Sequence, residues 1–318
     1  MKSCGLPIVA SRLPNAFGTV MNCPIENRKS KIENGFTLLE LLVVVAILGI
    51  LAALTVPALK SLSRSDVQVS ASRQLLDDLA RARQLAISRR TTVYMVFVPQ
   101  NFWLPPMSPG AGWLNTLSPS DLNAVVNLLD KQCTGYNFLT LRSMGDQPGR
   151  GVPQYAGEWK SLPDGAYIDT NKFNVGRWYF GNPLAYLPIT NSSANPIVTY
   201  PVYSFNYTPV GTASGPFSTL GLPFPSATNY TANVSLPYIA FNYLGQLTVL
   251  TVYGEILSPV DEYIPLAQGN VGYPVDVNKA PTFGQADFTE KPPGNSTNSM
   301  FHVLRVDRLT GRATVLQQ

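Results

Sequence analysis

The sequence has few of the residue types on which most catalytic sites and disulfide-stapled folds depend. Its 318 residues include three cysteines and one histidine, and only 13% of the residues are charged. Three cysteines form at most one disulfide, which excludes a small disulfide-stapled domain. One histidine excludes a zinc site built on several histidines and leaves little room for a Ser-His-Asp triad. The balance of 23 basic against 19 acidic residues excludes a polycation that binds nucleic acid by charge alone.

Long apolar runs are also scarce, since only one segment is apolar enough to cross a bilayer, which excludes a multi-span transporter. Between Glu40 and Lys60 lie 19 residues without a charge. As a helix, this run approaches the roughly 30 Å thickness of the hydrocarbon layer. Three basic residues precede it: Arg28, Lys29 and Lys31. The positive-inside bias therefore predicts a single transmembrane helix over residues 36–60 with a cytoplasmic N-terminus.

Two residues of this run do not suit a plain membrane anchor. Glu40 lies inside it, where an unpaired carboxylate costs roughly 2.5 kcal/mol or more. Such a residue usually has a partner, although a carboxylate that snorkels to the interface is an alternative. Pro57 lies near the end of the run and predicts a helix kink or a local interruption.

The segment Gly35-Phe-Thr-Leu-Leu-Glu40, followed by the apolar run, resembles the class III signal of type IV prepilins and type II secretion pseudopilins. The resemblance implies that a prepilin peptidase cuts between Gly35 and Phe36 and methylates the new Phe36 amine. Glu40 is then the fifth mature residue and Pro57 the twenty-second, both typical of that family. In a filament, the Glu40 carboxylate could pair with the Phe36 amine of a neighbouring subunit, which would offset two desolvation penalties and set the axial register.

The cut makes residues 1–35 a leader peptide. Met21 is an alternative start to Met1 and would give a leader of 15 residues, a more usual length. With either start, Cys4 and Cys23 are lost, and Cys133 is the one cysteine of the mature chain. The mature protein is therefore expected to have no intrachain disulfide.

Residues 61–90 are amphipathic and predict a helical stem. Apolar residues recur at helical spacing at Leu75, Leu79, Ala82 and Ala86. Asp77 and Arg81 are spaced for an ion pair along the helix. This stretch, with the following strand-like residues 91–98, resembles the stem of the GspH/FimT group of minor pseudopilins.

Residues 91–318 contain 23 of the 27 prolines and all 15 tyrosines, which predicts a β-rich head of short strands and long loops. We expect one helix over residues 122–129, capped by Ser120 or Asp121. Strands are predicted near residues 91–98, 165–170, 198–207, 236–242, 246–253, 301–307 and 312–317.

Three short motifs of the head also resemble the GspH/FimT group: Leu162-Pro-Asp-Gly165, Ile239-Ala-Phe-Asn-Tyr-Leu-Gly245 and Thr310-Gly-Arg312. Relative to a compact pseudopilin head, residues 99–160, 171–235 and 254–300 are interpreted as inserted loops.

Some members of the resembled family bind DNA through arginines near the closing hairpin, so Arg305, Arg308 and Arg312 are candidate DNA contacts. The head carries 11 basic and 13 acidic residues, however, so it lacks the long-range attraction that a phosphate binder needs. Three solvent-facing arginines are the simpler interpretation. Nucleic acid is therefore not an expected partner.

Enzyme sites find little support in the sequence. His302 lies in a strand-like run, where a lone histidine is usually structural, and no cationic cluster surrounds Cys133. Asp261 and Glu262, with Asp276, could bind calcium, but no acidic loop has EF-hand spacing. We predict no catalytic residue, no metal site and no cofactor.

These observations predict an α+β, pilin-like protein with a long N-terminal helix, transmembrane and then amphipathic, followed by a β-rich globular head. The expected function is that of a minor pseudopilin in a type II secretion pseudopilus or a type IV pilus. Its partners would be the prepilin peptidase, other pilin subunits and the bacterial inner membrane, with the head in the periplasm. A DNA-binding minor pilin, a major pilin and a membrane-anchored enzyme are the alternatives.

Overall fold

A computed structural model describes residues 37–104, 111–142, 146, 152–174, 185–189, 198–207, 223–227, 234–251, 254–291, 293 and 302–316. The leader, Gly35 and Phe36 lie outside these residues. The chain divides into two units, Met1–Thr55 and Val56–Gln318, which are described separately below.

The first helix, α1, covers Leu38–Arg89. Its N-terminus is capped by Thr37, whose Oγ1 accepts a hydrogen bond from the Glu40 amide at 3.2 Å. The helix continues through Pro57, so the predicted interruption is wrong. A proline removes one backbone hydrogen bond, and a long helix can continue on both sides of that loss. A bend of the helix axis at Pro57 stays a prediction.

In the first unit, the large apolar side chains of α1 are exposed between Leu38 and Leu51, with exposed fractions from 47% to 82%. The sequence predicted a transmembrane helix over residues 36–60. Across the residues that the structure describes, no helix is both long enough and apolar enough to cross a membrane.

The second unit contains two main antiparallel sheets. The strands of the first sheet are β1 (Val93–Phe97), β2 (Gly135–Thr140), β3 (Gln154–Tyr155), β4 (Lys160–Ser161), β8 (Asn206–Tyr207), β9 (Pro237–Phe241), β10 (Leu247–Thr251) and β11 (Gly254–Leu257). Their order is β11-β10-β9-β1-β2-β3, with β4 paired to β2 and β8 paired to β9. The centre of this sheet is therefore β1, between β2 and β9.

The strands of the second sheet are β5 (Ala166–Ile168), β12 (Glu262–Gly272), β13 (Asp287–Glu290), β14 (His302–Val306) and β15 (Ala313–Leu316). Their order is β13-β12-β14-β15, and β5 pairs with β12. A separate hairpin joins β6 (Ala185–Ile189) to β7 (Val198–Val202). The short helices are α2 (Pro119–Val126) and three 3₁₀ helices, Ala111–Thr116, Leu129–Lys131 and Thr170–Phe173, within the described residues.

The amphipathic stripe predicted for the stem forms part of the main core. Leu75, Leu79, Ala82 and Ala86 are fully buried, together with apolar residues of both sheets. Alternate residues of β1 contribute to different clusters, because successive side chains of a strand point to opposite faces. Val93, Met95 and Phe97 belong to the cluster that includes the stem, whereas Tyr94 and Val96 belong to a second cluster. The central strand is thus buried on both faces.

All seven predicted strand regions contain strands, but the predicted helix begins at the wrong residue. Helix α2 begins at Pro119, and its cap is Ser118 rather than Ser120 or Asp121. The Ser118 hydroxyl accepts a hydrogen bond from the Asp121 amide at 3.2 Å. A proline at the first helical position already has a suitable backbone angle, which places the cap one residue before it.

That residues 99–160 and 254–300 are insertions stays a prediction, but their interpretation as loops is wrong, because both ranges contain strands of the two main sheets. The first contains β2, which pairs along its length with β1. The second contains β12, which pairs with β5, β13 and β14. Both strands are integral to their sheets, so the head without them would lose a neighbour of β1 and the main strand of the second sheet.

Candidate functional site

The candidate processing and assembly site lies at the N-terminus of α1. Glu40 is in the first helical turn and is exposed within its unit. A carboxylate at this position interacts favourably with the positive end of the helix dipole. The Thr37-Leu-Leu-Glu40 spacing is that of a capping box, in which a threonine and a glutamate three residues later serve the first turn. An exposed carboxylate at this position is accessible to a cation of another subunit.

Gly35 and Phe36, the predicted cleavage and methylation residues, lie outside the described residues. The residues that follow them are described: Thr37 lies outside the helix and α1 begins at Leu38. Two residues, Phe36 and Thr37, therefore separate the predicted cut from the start of the helix. Their roles stay predictions.

The three candidate DNA arginines all reach solvent, because Arg308 and Arg312 are exposed and the Arg305 side chain is 39% exposed. Arg305 donates to Asp261 Oδ2 from Nε at 2.9 Å and from a terminal nitrogen at 2.6 Å. The Arg308 guanidinium donates to the Pro259 carbonyl at 2.9 Å, and Arg312 is exposed. Two of the three side chains thus support the closing hairpin, and the Asp261 carboxylate raises the pKa of Arg305.

The carboxylates considered for calcium do not converge. Asp261 binds Arg305, while Glu262 is buried and pairs with Lys172. The Asp276 carboxylate accepts hydrogen bonds from the amides of Asn278 and Ala280 in its own turn, both at 2.8 Å. Within the described ranges, no three His, Cys, Asp or Glu residues are grouped to hold a metal ion.

The residues considered for enzyme chemistry are placed in structural settings. His302 on β14 is half-buried, and its Nδ1 lies 3.2 Å from Ser72 Oγ of α1. Cys133 is fully buried, and that burial raises the pKa of its thiol, which disfavours the reactive thiolate. A polar cleft of about 340 Å³ contains two carboxylates, Asp130 and Asp164, in its wall.

Two polar clusters in the second unit were not predicted from the sequence. In the first, Asp78 of α1 accepts hydrogen bonds from Tyr136 and Lys160. In the second, Lys172 and Glu262 form a buried ion pair. Asp78 lies three residues after Leu75 on the buried stripe, so a charged residue at a core position was the signal available in the sequence.

Residues 30–56 match a protein-family model described as the prokaryotic N-terminal methylation motif. This match supports membership of the type IV pilin and pseudopilin family. It covers Gly35, Phe36 and Glu40 and ends one residue before Pro57. No curated protein and no solved structure matched the chain. The motif thus supports a prepilin-type pilin or pseudopilin subunit that a prepilin peptidase processes and that assembles with other pilins.

Proposed function

We propose that this chain is a minor pseudopilin of the GspH/FimT kind, and that its function is structural rather than catalytic. A prepilin peptidase removes residues 1–35 and methylates the Phe36 amine. The mature subunit then joins a type II secretion pseudopilus or a type IV pilus. The observation that carries this proposal is the match over residues 30–56, which contains the cleavage, methylation and acidic positions in the order that processing requires.

The proposed location is the bacterial inner membrane, with the N-terminus in the cytoplasm and the head in the periplasm. The support comes from the charge-free run between Glu40 and Lys60 and from the basic residues before it. The exposed apolar side chains between Leu38 and Leu51 need a covering of lipid or of other subunits. After processing, the same surface would pack against other pilin helices.

The resemblance to the GspH/FimT group gains support from two glycines in its motifs. Gly245 and Gly311 both have positive φ, +80° and +62°, and their hairpin turns abut one another. The Arg83 side chain of α1 donates to the Thr310 carbonyl at 2.7 Å in the same place. The two hairpins that the sequence singled out thus meet at the stem.

A DNA-binding minor pilin is less well supported. Arg305 is committed to Asp261, and the head has two more acidic than basic residues, 13 against 11. A phosphate binder of this family would need free basic groups at the closing hairpin. Of the three candidate arginines, only Arg312 has a guanidinium that makes no hydrogen bond or ion pair with described residues. A major pilin role would be distinguished by subunit abundance.

Mass spectrometry of the N-terminal peptide of the native protein tests the proposal. We expect the mature chain to begin at Phe36 with a methylated amine. A Gly35→Val variant should keep the leader, because the peptidase cuts after this position, whereas a Gly49→Val variant outside the cut should be processed normally. A native chain that begins elsewhere and carries no methyl group would overturn the assignment.

A further inference from the structure

Lys172 has the most enclosed ammonium group among the described residues. It lies in the 3₁₀ helix Thr170–Phe173, and its side chain is fully buried. Its Nζ contacts Oε1 of Glu262, the first residue of β12. The same Nζ donates to the Tyr203 carbonyl at 2.6 Å and lies 4.8 Å from the centre of the Phe205 ring. A primary amine is thus fixed against a carboxyl group in a buried site with one aromatic neighbour.

Burial favours the uncharged forms of both groups. It lowers the pKa of Lys172 and raises the pKa of Glu262, in each case because the charged form loses its hydration. An uncharged amine is a nucleophile, and an uncharged carboxylic acid is a better electrophile than a carboxylate. Their fixed contact replaces a bimolecular encounter, which is a large part of the barrier to amide formation.

We propose that the side chains of Lys172 and Glu262 are joined by an isopeptide bond in the folded protein. The Lys172 Nζ attacks the Glu262 carboxyl carbon, an N–C bond forms, and a C–O bond breaks. The hydroxyl of the acid leaves with a proton from the amine as one water molecule. Atoms and charge balance without an oxidant or a co-reactant.

The surroundings orient the amine and oppose the reverse reaction. The Tyr203 carbonyl accepts a hydrogen bond from Nζ and so fixes the direction of attack. Both side chains are buried, which limits the access of the water that hydrolysis would need. Amide formation also replaces two ionisable groups with one neutral amide, so no buried ion pair with its desolvation cost is needed at this site.

The bond would close a loop between residues 90 positions apart in the sequence. Cross-links over long loops restrict the unfolded chain. Cys133 is the single cysteine after the predicted cut, so no disulfide within the mature chain could do this. The isopeptide bond would tie β12, the main strand of the second sheet, to the 3₁₀ helix that follows β5.

Tryptic digestion of the denatured native protein, followed by mass spectrometry, tests the proposal. Trypsin does not cut after an acylated lysine, so residues 161–177 should remain one peptide through Lys172. This peptide should be linked to residues 178–279, which contain no basic residue before Lys279. The linked species should weigh less than its two separate peptides by one water molecule. Cleavage after Lys172, together with recovery of residues 178–279 as a separate peptide of full mass, would overturn the proposal.

Two variants provide the matched comparison. Lys172→Met should restore the full mass and slow the migration of the denatured chain in gel electrophoresis. Lys160→Met should keep the mass deficit, because the Lys160 ammonium pairs with Asp78 while its side chain is 38% exposed. If Lys172→Met does not fold, the digest of the wild-type protein still shows whether Lys172 and Glu262 are cross-linked. A mass deficit that maps to another pair of residues would also refute the proposal.

Discussion

The Tyr136 hydroxyl of β2 donates a 2.5 Å hydrogen bond to the Asp78 carboxylate of α1. The Lys160 ammonium of β4 donates to the other oxygen of the same carboxylate, also at 2.5 Å. Gln74, one helical turn before Asp78, donates to the Tyr136 hydroxyl at 2.8 Å. This network joins the stem to the first sheet at a point where the helix face is otherwise apolar.

Replacing Asp78 with alanine should therefore destabilise the head. Tyr136 and Lys160 would lose their acceptor, and a buried polar group without a partner costs about 1–3 kcal/mol. The free energy of unfolding can be measured with urea and tryptophan fluorescence. The matched control is Asp77→Ala, since Asp77 is exposed on the same turn and should change stability by no more than about 0.5 kcal/mol. Equal losses in the two variants would contradict the role of the network.

Gly311→Ala should destabilise the head through both backbone strain and a clash. Gly311 has φ +62°, and a Cβ there would lie 1.9 Å from the Gly245 carbonyl oxygen. We expect a loss of about 2–4 kcal/mol, combining left-handed strain with overpacking. Gly157→Ala is the control, because a Cβ at this position would have no neighbouring atom within 4 Å and the φ of Gly157 is not positive. A Gly311→Ala protein as stable as Gly157→Ala would show that the two hairpins do not abut.

The sequence predicted the elements whose patterns are local and missed those that depend on pairing. The stem stripe of Leu75, Leu79, Ala82 and Ala86 has a helical period, and its burial confirms the prediction. Strand β12 contains Pro265 and two glycines, which indicate loops, yet it pairs with three other strands. Pairing with neighbouring strands outweighs the low strand propensity of proline and glycine, because the strand preference of a residue depends strongly on the strands beside it.

Polar partners were predicted less well than apolar ones. Asp77 and Arg81 have helical ion-pair spacing, but no ion pair joins them in the described part of the chain, and Arg81 lies 5.8 Å from the centre of the Phe138 ring. Lys172 and Glu262 meet only because β12 returns to the 3₁₀ helix after 90 residues. No local pattern carries that information. For Gly35, Phe36 and Glu40 the reverse holds: the sequence motif alone indicates their roles.

The stability of the head should decrease as the pH falls through about 6.5, in part because of His302. Burial lowers the pKa of His302, so the His302 ring is protonated at a lower pH in the folded chain than in the unfolded chain. The contribution of neutral His302 to the free energy of unfolding is therefore fully present above the pKa that His302 has in the unfolded chain. It is lost as the pH falls toward the lower pKa that His302 has in the folded chain. Asp169 acts in the opposite sense, because burial raises the pKa of its carboxyl group.

The difference between wild type and His302→Gln isolates this effect, since the chain has one histidine. Unfolding measured at about pH 7.5 and about pH 5.5 should show a larger acid-induced loss in the wild type than in the variant. An identical pH dependence in the two proteins would mean that the ring is protonated equally in both states.

Glu40→Val should allow cleavage after Gly35 and impair incorporation into filaments. In the proposed filament, the Phe36 ammonium of a neighbouring subunit would lose its partner, and one buried charge left unpaired costs about 3–5 kcal/mol. We expect at least about a tenfold decrease in the sheared filament fraction relative to the membrane fraction, measured by immunoblot. Thr37→Val is the matched control, because it removes the hydroxyl that caps α1 and keeps the carboxylate. Normal incorporation of Glu40→Val would refute the role of charge pairing in assembly. An equal loss with Thr37→Val would show that helix capping, rather than charge pairing, explains the defect.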